Sequence, residues 1–156
     1  MKRSFSSIRL KDLGFVILYT LLLSIILAIL LGLIDHLFIR YFSFQIGNLL
    51  FWILAILTGS TVRKQYDQPH WLYAVIAGVG MLYGAVIIEV LPVILVFAQL
   101  QDLGHVIFDI SIYWDAILYL YNPINWIIHF DFNYLITILM IGVGTYLGIK
   151  RTLETR

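Results

Sequence analysis

Glu89 is the residue whose type and position best suit chemistry inside a membrane. It is the single acid in an apolar run over residues 71–98 and lies 18 residues after Trp71, or ~27 Å along a helix. A carboxylate in such a run usually faces a bundle interior, a cavity or a partner, because a charge in lipid is costly. Pro92 has no N–H for the Ile88 carbonyl, so we expect the helix to kink or end there.

Two interpretations of Glu89 follow. In the functional one, the carboxylate and the freed carbonyl bind a cation or a proton. Arg40, or a protonated histidine on the same side of the membrane, then supplies a counter-charge or a hydrogen-bond donor. In the structural one, Glu89 is a hydrated residue at the membrane surface. The sequence supports the two interpretations equally.

Histidine and aspartate residues occur in neighbouring pairs that suit a divalent metal, the one cofactor class that the sequence suggests. Imidazole nitrogens and carboxylate oxygens are common ligands of zinc and related ions. A helix over 102–113 would put Asp102, His105 and Asp109 on one face, although a solvated polar face has the same pattern and is the favoured interpretation. His70, next to Pro69, is expected to be an exposed loop residue. The candidate metal ligands are His36, His105, Asp109, His129 and Asp131.

Membrane helices are the elements that must position these residues. Of the 156 residues, 62% are hydrophobic and 12% are charged, whereas soluble domains are about 45–50% apolar and about 25% charged. The mean hydropathy is +0.95, and a chain of this size cannot hide so much apolar surface in a soluble core. The chain has no Cys, which excludes disulfides and thiolate metal sites. We predict an all-α integral membrane protein: a four-transmembrane-helix bundle with an additional interfacial or re-entrant helix between spans three and four.

The apolar runs predict a single membrane domain over residues 13–149. The first run is too long for a signal peptide and no small-residue cleavage site follows it, so we predict a retained helix. The part between the third and fourth runs is rich in aromatic residues and has no Lys or Arg. This composition favours a helix in the outer interface or a shallow re-entrant element. The predicted segments are a basic N-terminal segment over 1–12, spans of about 13–34, 44–62, 71–98 and 132–149, an outer segment over 99–131, and a C-terminal tail over 150–156.

The distribution of positive charge predicts the orientation. If the chain crosses the membrane four times, nine of the ten Lys and Arg residues lie on one side of the membrane, and Arg40 alone lies on the other. Short cytoplasmic loops carry an excess of Lys and Arg. We therefore expect both termini to be cytoplasmic and the membrane to be the cytoplasmic (plasma) membrane. The basic N-terminal segment serves as a topology signal or contacts anionic headgroups, and nothing in it indicates nucleic-acid binding.

Small residues recur four positions apart in every predicted span. Small residues let helix backbones approach closely. Because no hydrophobic effect drives helices together in lipid, the van der Waals contacts of this close approach stabilise the packing instead. The pattern favours packing within the bundle, and contact with a protein partner or a second copy is the alternative. The Gly spacing around 78–84 differs from the dinucleotide fingerprint and falls inside a predicted membrane helix. The predicted packing glycines are Gly32, Gly59, Gly80, Gly84, Gly144 and Gly148.

Three classes of function fit these features. The favoured one is a non-enzymatic subunit or an accessory or assembly component of a larger membrane complex, with the lipid bilayer and a protein partner or a second copy as its contacts. The second is a small oligomeric transporter or ion-conducting protein that uses Glu89. The third is a membrane enzyme with a His/Asp metal site on its outer face. The chain has no Walker-type loop, H-E-x-x-H or G-x-S-x-G motif, which weighs against the enzyme.

Overall fold

The computed structural model describes residues 10–66, 70–101, 109–128 and 132–154. Within these ranges every regular element is a helix, as the all-α prediction requires. The elements are α1 (Leu10–Phe42), α2 (Gly47–Arg63), α3 (Trp71–Gln101), α4 (Ile110–Leu120), α5 (Pro123–Ile128) and α6 (Phe132–Leu153).

Three of these helices contain segments that are long and apolar enough to cross a membrane. The segments are Lys11–Phe42, Trp71–Val96 and Leu135–Leu153. The fourth apolar helix, α2, has 17 residues, which corresponds to ~26 Å. The chain therefore has apolar helices compatible with a membrane protein, as its composition predicts.

Helices α1 and α3 run parallel to each other. Thr20 of α1 lies against Gly80 of α3, and Gly32, three turns further along α1, lies against Leu91. The contacting residue numbers increase together, so both helices begin at the same end of the bundle. Ser24, between these two contacts, donates its hydroxyl hydrogen to the Thr20 carbonyl.

Helices α2 and α6 also run parallel to each other. The Asn48 side chain donates to the Thr137 hydroxyl over 3.2 Å, and the Trp52 indole donates to the Met140 carbonyl over 2.9 Å. At the far end of this pair, Gly59 lies directly against the Gly148 carbonyl. A side chain at Gly59 would overlap the neighbouring backbone, so glycine is required for this approach.

The α2–α6 pair runs opposite to the α1–α3 pair. Leu54 of α2 contacts Gly84 of α3, and Gly47, earlier in α2, contacts Ile88, later in α3. Helices α2 and α3 lie at the centre, and α1 and α6 each pack against both of them from opposite sides. The six predicted packing glycines all face a neighbouring helix in this arrangement.

The segment between α3 and α6 forms two short helices in its described part. Asp109 caps the start of α4, since its carboxylate accepts the Ser111 N–H over 2.9 Å. The helix ends beside Tyr121, whose hydroxyl donates to the Leu82 carbonyl over 2.9 Å. Leu82 lies near the middle of the Trp71–Val96 segment, so α4 is anchored well away from the ends of α3.

Two helices continue past positions at which the sequence suggested an interruption. The first predicted span stops at about residue 34, and α1 continues beyond it to Phe42, so Asp35 and His36 lie within a helix. Of the two outcomes expected at Pro92, a kink or an end, the helix does not end there, since Pro92 is fully buried inside α3. In both cases the expected interruption is tolerated because neighbouring helices cover the polar or irregular position.

Candidate functional site

Asp35 and Glu89 come together at one end of the bundle, where α2 begins. A Cβ placed on Gly47 would lie 3.3 Å from Asp35 Oδ2 and 3.4 Å from Glu89 Oε1. Two carboxylate oxygens, one from α1 and one from α3, therefore face the same point beside the α2 backbone. We call Asp35 and Glu89 the carboxylate pair, and this end of the molecule the Asp35 end.

The turn between α1 and α2 explains how Asp35 reaches this position. Ser43 has a φ of 53°, a left-handed conformation that reverses the chain after α1. The Ile46 N–H then donates to Asp35 Oδ1 over 2.7 Å. Because Ile46 precedes α2 and offers no side-chain cap, Asp35 supplies the negative charge that the N-terminus of this helix favours.

Gln45 connects the two acids. Its side-chain amide donates to Glu89 Oε2 over 3.2 Å. The same side chain lies close enough to the Asp35 carboxyl group to hydrogen-bond with it. Gln45 is exposed and Glu89 is half-buried, whereas Asp35 is 0% exposed. The pair is therefore open to the surroundings on the Gln45 side and closed on the side of Asp35.

The negative charge of the carboxylate pair is not balanced by a cation within the described part of the chain. Asp35 Oδ2 is buried and makes no hydrogen bond of good geometry, although the Gly47 N–H and the Gln45 amide lie close to this carboxyl group. The ion pair found among the described residues joins Arg151 to Glu154 over 2.9 Å. Burying a polar atom without a partner is costly, so we expect a ligand, a water molecule or an ion to satisfy this oxygen.

An additional oxygen lies on the same turn of α3. Pro92 has no N–H, so the Ile88 carbonyl lacks its usual donor four residues later. Ile88 directly precedes Glu89, and its side chain also contacts Gly47, at 3.4 Å from the Cβ position. This turn of α3 thus carries a carboxylate and one backbone carbonyl without its usual donor, and it lies beside the first turn of α2.

The other residues singled out in the sequence do not gather at this site. Arg40 is exposed on the last turn of α1. His36 is buried, and its Nδ1 has no hydrogen-bond partner. The remaining candidates, His105, His129 and Asp131, lie outside the described residues.

The predicted His/Asp metal site therefore stays a prediction. Of its five candidate ligands, Asp109 caps α4 and His36 lies within α1. In the described part of the chain, no three His, Cys, Asp or Glu residues form a group that could hold a metal.

A second polar cluster closes the opposite end of the bundle, which we call the Arg63 end. Arg63 is buried, and its guanidinium donates to the carbonyls of Glu154, over 2.5 Å, and Tyr66, over 2.7 Å. The Tyr66 hydroxyl donates to the Thr152 carbonyl. Burial raises the pKa of Tyr66 to about 12, although the nearby Arg63 charge opposes this shift. These contacts tie the last turn of α2 to the last turn of α6.

His70 belongs to the Arg63 end, and the prediction that it is an exposed loop residue was wrong. It is 7% exposed, and its Nδ1 accepts the Leu72 N–H over 3.1 Å. The imidazole also packs edge-on against the Tyr73 ring, with 5.9 Å between centroids. His70 thus caps α3, because its side chain satisfies an N–H group that the first turn of a helix leaves without a partner.

Comparison of the chain with protein-family models, with curated proteins and with solved structures found no match.

Sequence reasoning found Glu89 but missed Asp35 and Gln45 as its neighbours. Both lie beyond the first predicted span, which stops at about residue 34. The available signal was the position of Asp35 directly after the last apolar residue of that span. If the helix continues past that residue, an acid at this position lies in the next helical turn and can be buried.

Proposed function

We propose that this chain is a four-span protein of the cytoplasmic (plasma) membrane with both termini in the cytoplasm. It acts as a non-enzymatic subunit or assembly component of a larger membrane complex. The alternating directions of α1, α2, α3 and α6 support four spans. Of the described Lys and Arg residues, all except Arg40 belong to helix ends at the Arg63 end, which supports a cytoplasmic location for that end.

The observation that carries the subunit role is the filled interior of the bundle. Phe51, Leu54 and Met81 are fully buried between the two polar ends. Leu54 lies against Gly84, and Met81 lies against Gly148. Apolar side chains therefore occupy the space through which a solute would cross a single copy, and a role in packing against other subunits fits better.

Within this proposal, α4 and α5 form a re-entrant element. The hydrogen bond between the Tyr121 hydroxyl and the Leu82 carbonyl supports this choice over a helix at the interface, because Leu82 is central in its span. A short helix at membrane depth needs cover from protein, and Tyr113 of α4 packs against the buried core.

Native mass spectrometry of the complex tests the subunit role. The tagged chain would be expressed at its native level and extracted from its own membranes in a mild detergent. We expect the 18.0 kDa chain to appear with a different protein at fixed stoichiometry. An isolated 18.0 kDa species would refute the proposal, and a pure homo-oligomer would favour the second function below.

The second candidate function is a small oligomeric transporter or ion-conducting protein that uses Glu89. The carboxylate pair favours it, because paired acids near a membrane surface suit cation binding. Since the interior of one copy is filled, the path would run between copies. Reconstituted protein should then conduct cations, and Glu89→Gln should abolish the flux while keeping the fold. Equal flux in liposomes with and without the protein would exclude this function.

A membrane enzyme with a metal site on its outer face remains the third candidate. Metal analysis of the purified chain would test it. We expect one zinc or other divalent ion per chain if the His/Asp residues converge, and loss of that ion in His105→Ala.

A further inference from the structure

We propose that Asp35 and Glu89 form a binding site for one hard divalent cation, of the Mg²⁺ or Ca²⁺ class, beside Gly47. The site shares no residue with the His/Asp metal site predicted from the sequence. It is independent of whether the chain acts as a subunit or as a transporter.

The need for a ligand comes from Asp35. Its side chain is 0% exposed, and Oδ2 makes no hydrogen bond although Oδ1 accepts the Ile46 N–H. The bare oxygen faces the point beside Gly47 that Glu89 Oε1 also faces. A cation between these two oxygens would satisfy the buried atom and remove the repulsion between the carboxylates.

The donor atoms determine which cation fits. The two groups that face this point are carboxylates, and oxygen ligands select Mg²⁺ and Ca²⁺ over zinc and copper. His36 follows Asp35 but projects about 100° away around the helix axis. Two carboxylates match the charge of one divalent ion.

Access and space are both provided by the structure. Gln45 is exposed and Glu89 is half-buried, so an ion and its remaining water ligands can approach from that side. Gly47 leaves the space between the carboxylates open, because any Cβ there would lie 3.3 Å and 3.4 Å from the two oxygens. Arg40, the nearest cation in the sequence, makes no ion pair with either acid among the described residues.

Calorimetric titration of the purified full chain tests the site. After treatment with a chelator, the protein in detergent would be titrated with CaCl₂ and then with MgCl₂ at constant ionic strength and near-neutral pH. We expect one ion per chain. Glu89→Gln and Asp35→Asn each remove one carboxylate ligand. Loss of a residue that only holds a metal ligand in place lowers metal affinity by about 10–100-fold. We expect these two variants to weaken binding by at least that factor. Glu154→Gln, which removes an exposed acid at the other end, should bind as the wild type does.

Gly47→Ala provides a variant that keeps both charges. Its methyl group would enter the space between the carboxylates, so binding should weaken while circular dichroism and thermal stability change little. This variant decides the case if Asp35→Asn does not fold. Unchanged divalent binding in Glu89→Gln and Gly47→Ala would overturn the proposal. It would also be overturned if Na⁺ or a lower pH stabilised the wild type with no response to Ca²⁺ or Mg²⁺.

Discussion

Two glycines on α6 should respond to the same substitution with opposite signs. Gly148 lies where a Cβ would be 2.7 Å from the Ala55 carbonyl oxygen and would also overlap the Met81 sulfur. Gly142, less than two turns earlier, has no atom within 4 Å of the equivalent position. Gly148→Ala must therefore move a backbone, whereas Gly142→Ala adds a methyl group to an open face.

The magnitudes follow from two opposing contributions. Replacing Gly by Ala within a helix stabilises it by about 1 kcal/mol. Forcing an extra methyl group into a packed interface costs about 1–3 kcal/mol. We expect Gly148→Ala to lower the free energy of unfolding by up to about 2 kcal/mol, because the Ala55 backbone cannot yield cheaply. Gly142→Ala should raise it by up to about 1 kcal/mol.

Thermal unfolding in one detergent, followed by circular dichroism, measures this contrast. Each kcal/mol corresponds to about 2–4 °C for a chain of this size, so the two variants should differ by several degrees. Equal midpoints, or a lower midpoint for Gly142→Ala than for Gly148→Ala, would refute the packing of α6 against α2 and α3.

Three further predictions concern the polar contacts. Arg63→Lys keeps the charge but loses the hydrogen bonds to two carbonyls. We expect it to lower the free energy of unfolding by about 1–3 kcal/mol. Lys64→Ala, at an exposed position, is the control. Tyr66 stabilises the fold below pH 10 and loses this contribution as the pH rises toward 12, because its pKa is raised from 10.0 to about 12. Ultraviolet titration of the wild type, compared with that of Tyr66→Phe, should show that Tyr66 ionises well above pH 10. A difference between the two titration curves near pH 10 would contradict this. Tyr121→Phe removes the contact with Leu82 and should speed hydrogen exchange in α4, whereas Tyr146→Phe should not.

The helical class and the apolar segments could be predicted because they depend on composition and on run length. Burying 62% hydrophobic residues requires lipid, and lipid requires helices or closed barrels. The glycines were also visible, since small residues four apart mark a helix face in any sequence. These features are local, so no knowledge of the tertiary arrangement is needed to see them.

The partners of polar residues could not be predicted, because they depend on helices that meet in space. Glu89 was expected to pair with Arg40 or a histidine, but it contacts Gln45 and lies beside Asp35. Arg63 lies just after the second predicted span, and the structure buries it against the Glu154 carbonyl. In both cases the deciding contacts come from segments more than 40 residues away in sequence.

Labelling of single cysteines in intact cells tests the four-span arrangement most directly. The chain has no native Cys, so Phe44→Cys, Lys64→Cys and Glu154→Cys each introduce one exposed thiol. An impermeant thiol reagent should label position 44 from outside, and positions 64 and 154 after the membrane is permeabilised. Labelling of positions 44 and 64 from the same side would show that α2 does not cross the membrane. Labelling of position 154 from outside would contradict the proposed orientation.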